Sequence, residues 1–348
     1  MQKLGVIFGG MSTENEVSVI SATSILKNLD KDKYEIFPIY IDKDGTWYEY
    51  EEEKENRKIG DEITKKYKIE NIIEYLQNMD ILFPVLHGLY GEDGTIQGLF
   101  ELLKKPYIGC GVLASSVGMD KVYTKIIFEK AGLKQAKYEY IRKYKDDYIY
   151  IDEKFNEKIL SIDEITEKIA SNLKFPVFVK PSNSGSSVGI RKAKNKNELK
   201  LAINFASKYD KKIVIEEGIE GREIECAVLG NEQVTASEVG EILPAEEFYS
   251  YDAKYNNSSS KTVVPADISD KLANKIRKQA IKAFKAIDGK GLSRVDFFIE
   301  NGTDEIYINE INTLPGFTSI SMYPKLFEAS GIKYKELLDK IIKLSERD

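Results

Sequence analysis

The sequence predicts an α/β and α+β protein, with an open parallel α/β unit first and hairpin-rich units after it. Two patterns lead to this class. Over residues 1–110, apolar strand patterns alternate with amphipathic helix patterns, as in an open parallel sheet. From residue 175 onward, apolar strands follow one another across short turns, as in antiparallel hairpins. The chain has 348 residues, which is enough for two or three such units.

The first unit is predicted from its repeated order of strands and helices. LGVIFGG at 4–10 is typical of a buried parallel strand that ends in a glycine turn, and an amphipathic helix follows at 12–29. Because ligands of open α/β sheets bind at the carboxyl ends of the strands, we expect active groups at that edge. The remaining strands are predicted at 34–42, 80–88 and 106–111, with a helix at 71–79 and another after GLYGEDGT.

Two further units complete the predicted organisation into domains at 1–117, 118–213 and 214–348. Residues 142–173, which are charged and rich in tyrosine, are expected to form a surface excursion and a helix. The third unit ends in an antiparallel hairpin, because LSRVDFFIE and EIYINEIN are joined by the turn NGTD. The other predicted strands are FPVFVKP, GIRKAK, KKIVIEEGI, REIECAVLG and QVTASEVGEIL, and the other helices are SSVGMDKVYTKIIFEKAGL, NKNELKLAINFASKY and DKLANKIRKQAIKAFKAI.

Composition and charge exclude several classes of function. The formal net charge is −6, with lysines and acids interleaved, whereas nucleic-acid binding needs a basic surface. The start of the chain does not resemble a secretory signal, and no apolar run approaches the roughly 18 residues of a membrane span. Cys110 and Cys226 lie far apart, which favours buried free thiols over a disulfide or zinc site. We therefore expect a cytoplasmic protein that binds neither nucleic acid nor membrane.

The final hairpin carries a candidate metal site. Strand alternation puts Arg294 and Asp296 on one face and Glu310 and Asn312 on one face of the partner strand. If the faces coincide, two carboxylates and an amide oxygen surround one point, a set that suits Mg²⁺. A solvated polar sheet face is the alternative. The intervening positions 295, 297 and 311 are apolar, which favours the metal site.

The stretch KPSNSGSSVGI at 180–190 is a candidate phosphate clamp. Lys180 ends an apolar strand, and Lys121 lies on the other side of the middle unit; both could supply counter-charge to the phosphates that usually accompany Mg²⁺. Glycines at 185 and 189 permit close approach of the backbone, and the intervening serines add hydroxyl groups. A linker or a solvent-exposed lysine is the alternative. A linker has no reason to lie inside a β-hairpin, so we favour a mobile clamp.

Taken together, the motifs resemble those of the D-alanine–D-alanine ligases of the ATP-grasp superfamily over nearly the whole chain. The resemblance implies a preATP-grasp, Rossmann-like first domain followed by a two-subdomain ATP-grasp fold. The motifs that carry it are FGGMSTENEVS, LHGLYGEDGTIQG, MDK, FVKPSNSGSSVGI, IEEGIEGRE, YDAKY, SRVDFF and NEINTLPGFTS, in this order.

The resemblance also implies roles for residues in ATP and metal binding. Lys121 and Lys180 would hold the ATP phosphates, and the loop from Ser184 to Val188, which includes Ser187, would close over them. Two Mg²⁺ (or Mn²⁺) would be bound by Asp296, Glu310 and Asn312. On the nucleoside side, the implied residues are Glu216 and the backbone near Ile219 for adenine and Glu223 for ribose. Glu217 stands where some family members have lysine.

For substrate binding and catalysis, the resemblance again implies individual roles. Glu16 would grip the ammonium of the first D-alanine and join Ser186 and Tyr255 in a hydrogen-bonded network. Without the resemblance, Glu16 would only favour the helix dipole, and Tyr255 is one of 21 tyrosines. Arg294 and the backbone of Gly316 would stabilise the transition state, and Ser321 would bind the carboxylate of the second D-alanine. His87 would lie near the carboxylate of the first D-alanine, although a lone histidine is more often structural than catalytic.

The implied activity is ATP-dependent formation of D-alanyl-D-alanine through a D-alanyl phosphate, for peptidoglycan precursors. Within the same chemistry, the alternative is a D-alanine–D-serine or, less favoured, a D-alanine–D-lactate ligase. From another class, the alternative is a nucleotide-binding regulator without catalysis, against which the full candidate metal set counts. The resemblance also implies a homodimer through the first unit.

Overall fold

The first sheet of the computed structural model has the order β4-β3-β2-β1-β5. The structure describes residues 1–51, 57–243, 261–318 and 320–346. Both neighbours of β1 run parallel to it, and Gly9 pairs with Ile41 on one side and Leu86 on the other. The carboxyl ends of these three strands therefore coincide, as predicted. The elements are β1 (Gln2–Gly9), α1 (Asn15–Asn28), β2 (Tyr34–Ile41), β3 (Trp47–Tyr50), β4 (Lys65–Lys68), α2 (Ile72–Gln77), β5 (Ile81–Leu86) and α3 (Thr95–Leu102).

Residues 106–111 do not form the predicted strand. They make a single bridge between Tyr107 and Leu82 and then lead into two short helices. These helices are α4 (Val112–Met119) and α5 (Lys121–Lys130). Asp120 separates them, because its extended backbone ends α4 and its carboxylate accepts hydrogen bonds from the first amides of α5.

The second sheet has the order β10-β9-β11-β6-β7-β8. The predicted hairpin around the serine–glycine stretch is confirmed, since β9 and β10 pair antiparallel. The elements are β6 (Tyr138–Tyr144), β7 (Asp147–Ile151), β8 (Glu157–Leu160), α6 (Ile162–Asn172), β9 (Val177–Pro181), β10 (Arg191–Ala193), α7 (Lys196–Ala206) and β11 (Lys212–Glu217). The predicted domain boundary at 213/214 falls inside β11, whose pairing to β6 and β9 places the whole strand in this sheet.

The tyrosine-rich segment 142–173 contains the predicted helix, α6, but three strands, β6 to β8, precede it where a surface excursion was expected. Tyr148 and Tyr150 bury their rings in β7. Their hydroxyls reach polar partners, Asn204 at 3.0 Å and Glu139 at 2.8 Å. An aromatic ring with a hydroxyl at its end can thus be buried while its polar atom stays hydrogen-bonded. The tyrosine-rich and charged composition of this segment therefore did not indicate the strand β7.

The third sheet has the order β14-β13-β12-β15-β16. Its elements are β12 (Gly221–Leu229), β13 (Thr235–Leu243), β14 (Lys261–Val263), α8 (Asp270–Ala286), β15 (Leu292–Glu300), β16 (Ile306–Asn312), α9 (Met322–Ala329) and α10 (Tyr334–Lys343). One hydrophobic core joins this sheet to the first, with the rings of Phe83 and Phe317 at 6.4 Å. The loop after β16 is thereby fixed beside the first sheet. Among the described residues, no helix is both long and apolar enough to cross a membrane.

Candidate active site

Glu14 directs its carboxylate into a narrow space between two glycines. A Cβ atom at Gly88 would lie 2.6 Å from Glu14 Oε2, and one at Gly185 would lie 2.7 Å from the same oxygen. Only residues without a Cβ leave room for the carboxylate. The hydroxyl of Ser186 donates a hydrogen bond to Glu14 Oε1. Gly88 follows β5, while Gly185 and Ser186 belong to the loop from Ser184 to Val188, called the serine–glycine loop below. The first sheet and this loop therefore meet at Glu14.

The structure corrects the placement predicted for Glu16. Its side chain is 37% exposed, its Oε1 lies 3.2 Å from Lys43 Nζ, and its Oε2 accepts the amide of Gly60 at 3.0 Å. The carboxylate that meets Ser186 is therefore that of Glu14. Positions two apart on a helix point in different directions, so both acids of this motif cannot face the same site. Tyr255, the third member of the predicted network, lies outside the described residues.

Glu92 holds the loop that forms one wall of the Glu14 site. Its Oε2 accepts the backbone N–H of Gly88 at 2.8 Å. Burial, followed by the negative charge of Glu14, raises the pKa of Glu92 to about 8. At neutral pH this carboxyl group is therefore mostly protonated. The sequence interpretation missed both acids, although each lies in a motif used for the resemblance.

His87 connects the first sheet to the loop after β16. Its Nε2 lies 3.0 Å from Ser21 Oγ in α1, and the same hydroxyl accepts the amide of Phe317 at 3.3 Å. Burial lowers the pKa of His87 to about 4, although a hydrogen bond to the backbone of Leu314 acts in the opposite direction. The ring is therefore neutral and bridges two elements of the site.

Lys121 lies where the serine–glycine loop approaches the third sheet. Its Nζ donates to the carbonyl of Ser184 at 2.6 Å and lies 4.0 Å from Glu310 Oε2. The loop itself is folded tightly, since Ser186 and Ser187 have φ of 48° and 60° and the amide of Val188 bonds to the carbonyl of Gly185. Such left-handed conformations of non-glycine residues are costly and are concentrated at ligand sites. The loop and a lysine thus meet beside the candidate metal ligands.

The second predicted phosphate lysine, Lys180, forms an ion pair with Oε1 of Glu216. Burial opposes the charge of Lys180, but Glu216 outweighs this, and the pKa of Lys180 is raised. Ile219 lies half-buried between β11 and β12, and Glu223 lies in β12 close enough to influence Lys180 electrostatically. Glu217, which stands where some relatives have lysine, instead accepts the amide of Lys174 at 2.8 Å.

The four polar residues of the β15–β16 hairpin share one face, as the alternation predicts. Across the strands, Arg294 pairs in register with Asn312 and Asp296 with Glu310. Arg294 donates two hydrogen bonds to the carboxylate of Asp296, both at 2.7 Å, and its Nε lies 3.1 Å from Glu225 Oε2. Glu225, which is buried, is a further acid that sequence reasoning did not select.

The donor atoms of this hairpin fit a hard divalent cation. Within the described ranges no three His, Cys, Asp or Glu side chains are arranged to hold a metal ion, but here two carboxylates are joined by an amide. The amide nitrogen of Asn312 donates to Asp296 at 3.1 Å, so a half-turn of this amide would bring its oxygen next to the same carboxylate. Two acids and an amide oxygen suit Mg²⁺, which prefers oxygen and keeps several waters and phosphate oxygens as further ligands.

Gly316 and Ser321 lie next to each other after β16. A Cβ atom at position 316 would lie 2.9 Å from Ser321 Oγ, which accepts the amide of Thr318 at 3.0 Å. A side chain at position 316 would therefore crowd the hydroxyl of Ser321. The two residues predicted for oxyanion and carboxylate binding are thus neighbours, and the amide of Phe317, next to Gly316, bonds to Ser21.

Comparison with known proteins gives matches over nearly the whole chain. Two family models match, "D-ala D-ala ligase N-terminus" over residues 3–110 and "D-ala D-ala ligase C-terminus" over residues 127–343. A D-alanine–D-alanine ligase of Acetivibrio thermocellus is 52% identical, with 98% of this chain and 94% of the relative covered. One from Clostridium acetobutylicum is 49% identical, with 99% and 98% covered.

Solved structures of ligases also match nearly the whole chain, at lower sequence identity. The D-alanine–D-alanine ligase from Coxiella burnetii is 33% identical, with a TM-score of 0.80, and 99% of this chain and 93% of that chain are covered. The VanG D-Ala:D-Ser ligase from Enterococcus faecalis is 36% identical, with a TM-score of 0.81 and 99% of both chains covered.

Proposed function

The chain belongs to the D-alanine–D-alanine ligase family, and on this premise we propose that it joins two molecules of D-alanine at the expense of ATP. The observation that carries the proposal is that Lys121 lies between the serine–glycine loop and a candidate metal ligand. Its ammonium contacts the serine–glycine loop at 2.6 Å and lies 4.0 Å from Glu310, a candidate metal ligand. A site that transfers a phosphoryl group needs a cation, a closing loop and metal ligands together.

In the first half-reaction, the carboxylate of the first D-alanine attacks the γ-phosphate of ATP to give a D-alanyl phosphate and ADP. We assign the grip on the substrate ammonium to Glu14 rather than to Glu16, because the carboxylate of Glu14 faces the loop. Lys121 and Lys180 provide positive charge for the phosphates, and the loop from Ser184 to Val188 excludes water that would hydrolyse the acyl phosphate.

In the second half-reaction, the amine of the second D-alanine attacks the acyl carbon, and phosphate leaves. Arg294 and the backbone of Gly316 face the charge that develops on oxygen, and Ser321 binds the second carboxylate. Losing one preorganised donor of this type costs about 10²–10³-fold in rate. Two Mg²⁺ or Mn²⁺ held by Asp296, Glu310 and Asn312 would supply charge neutralisation at the transferring phosphoryl group.

The adenosine part of ATP is assigned to the β11–β12 connection. Glu216 and the backbone near Ile219 would read adenine, and Glu223 would hold the ribose. Ser184 and Ser187 of the loop would contact the phosphates. Tyr255 would extend the network of Glu14 and Ser186, as the family resemblance implies.

The proposed setting is the cytoplasmic synthesis of peptidoglycan precursors by a homodimer. The cytoplasm supplies ATP and keeps thiols reduced, which suits the buried free thiols of Cys110 and Cys226. Leu89, Tyr90 and Leu102 expose apolar surface on the first unit and would lie at a dimer contact. Light scattering during gel filtration measures the mass that tests this contact.

The proposed function is tested by incubating the full chain with ATP, Mg²⁺ and D-alanine while phosphate and dipeptide are measured. We expect phosphate release coupled one-to-one to D-alanyl-D-alanine. D-Serine and D-lactate serve as alternative second substrates, and we expect D-lactate to give no depsipeptide at neutral pH. The curated relatives favour D-alanine over D-serine. Nucleotide binding without phosphate release would instead support a regulator.

A further inference from the structure

Lys125 is a buried lysine that none of the assignments above uses. It lies one turn after Lys121 on the same face of α5, and only 4% of it is exposed. Its Nζ lies 2.7 Å from Glu216 Oε2 and 5.2 Å from the centre of the Tyr138 ring. Because lysine is rarely buried this deeply without a partner, the contact with Glu216 accounts for its position.

Glu216 therefore carries an ammonium group on each carboxylate oxygen. Lys180 takes Oε1 and Lys125 takes Oε2. Burial alone would raise the pKa of Glu216, but the charges of Lys125 and Lys180 outweigh it and lower the pKa to about 2. An ionised carboxylate has only acceptor sites, about two on each oxygen, so it can still accept a hydrogen bond from a ligand.

We infer that Lys125 is a positioning residue that keeps Glu216 ionised and fixed, so that the nucleotide site accepts an amino-purine and rejects an oxo-purine. The inference rests on the proposed assignment of Glu216 to the base. An exocyclic amino group donates to the carboxylate, whereas a carbonyl oxygen at the same place would leave two acceptors facing each other. Buried polar groups left unpaired in this way produce strong discrimination.

Lys125 also determines what Lys180 can do. With one lysine alone, Glu216 would depend on Lys180 for neutralisation, and moving that ammonium toward a phosphate would leave a buried carboxylate unpaired. With Lys125 in place, Lys180 can turn toward the nucleotide while Glu216 keeps a partner. Removing Lys125 should therefore weaken ATP binding and leave D-alanine binding nearly unchanged, since Lys125 is not among the residues at Glu14.

The test measures ATP and GTP binding to the full chain by titration calorimetry with Mg²⁺, alongside the KM for D-alanine. Variants are K125M, K125R, E216Q and, as a matched control on the exposed end of α5, K130M. We expect K125M to weaken ATP binding at least tenfold and to reduce the ratio of ATP to GTP affinity at least tenfold. K125R should restore most of both, and K130M should match the wild type. The KM for D-alanine should stay within about threefold.

An ATP affinity and an ATP-to-GTP ratio within twofold of wild type in K125M would overturn the inference, as would an equal rise in the KM for D-alanine. If K125M does not fold, the E216Q variant provides the test. Its amide can donate to a carbonyl oxygen, so its ATP-to-GTP ratio must fall at least tenfold, and an unchanged ratio would overturn the inference. A wild type that binds ATP but forms no dipeptide would contradict the proposed function alone, because the binding data stand without turnover.

Discussion

Replacing Glu14 by glutamine removes the charge that we assign to the ammonium of the first D-alanine. Glu14 is only 6% exposed, so its partner would be held away from water. Loss of one member of a buried charge pair costs about 2–5 kcal/mol. At 1.4 kcal/mol per tenfold, this corresponds to about 30- to 4000-fold weaker binding. The matched variant is E16Q, whose lost partner Lys43 is 63% exposed. Such surface pairs contribute about 0–1 kcal/mol, or less than about fivefold.

The assay is steady-state phosphate release over a range of D-alanine concentrations at saturating ATP, for both variants and the wild type. E14Q should raise the KM for the first D-alanine by a factor in that larger range, while E16Q stays within fivefold. Thermal unfolding of each variant controls for loss of folded protein. A larger defect in E16Q than in E14Q would refute the placement of the substrate ammonium at Glu14.

Three other predictions concern pH and the hairpin. The pKa of Glu92 is raised to about 8, so between about pH 4.5 and 8 the folded chain binds one proton more than the unfolded chain, and stability falls as the pH rises through this range. The E92Q variant lacks this titration. We therefore expect E92Q to have a higher unfolding temperature than the wild type at pH 8.5 but not at pH 5. The pKa of His87 is lowered to about 4, so between about pH 6.5 and 4 the unfolded chain binds one proton more than the folded chain. The free energy of unfolding of the wild type should therefore fall by up to about 1.4 kcal/mol per pH unit as the pH drops through this range. Denaturant unfolding of H87Q over the same pH range should show a weaker dependence on pH, and an equal dependence would contradict the neutral histidine. D296N should lower kcat at least 100-fold while D304N, on the exposed turn of the same hairpin, stays near wild type; equal rates would remove Asp296 from the site.

Strand and hairpin positions could be predicted because they depend on short-range patterns. The alternation around Asp296 and Glu310 fixes which side chains share a face, and the register of β15 and β16 then brings them opposite each other. The turn residues NGTD determine that the two strands are antiparallel neighbours. By contrast, the strand β7 escaped prediction because its tyrosines bury their rings and keep their hydroxyls bonded.

The choice between Glu14 and Glu16 could not be made from the sequence, because both acids lie in the same motif. It depends on the shape of the space between Gly88 and Gly185, which belong to segments far apart in the chain. Lys125 escaped for a similar reason. The position of Lys125 on the buried side of α5 explains why it is buried, but only the three-dimensional structure shows that its ammonium meets Glu216.

The most direct test of the account is the position of a metal ion and a nucleotide in a crystal of the full chain grown with Mn²⁺ and a non-hydrolysable ATP analogue. Anomalous scattering should place manganese between the oxygens of Asp296, Glu310 and Asn312, with the terminal phosphates between that ion and Lys121 and Lys180. Manganese bound away from this hairpin, or phosphates bound away from the serine–glycine loop, would contradict the account.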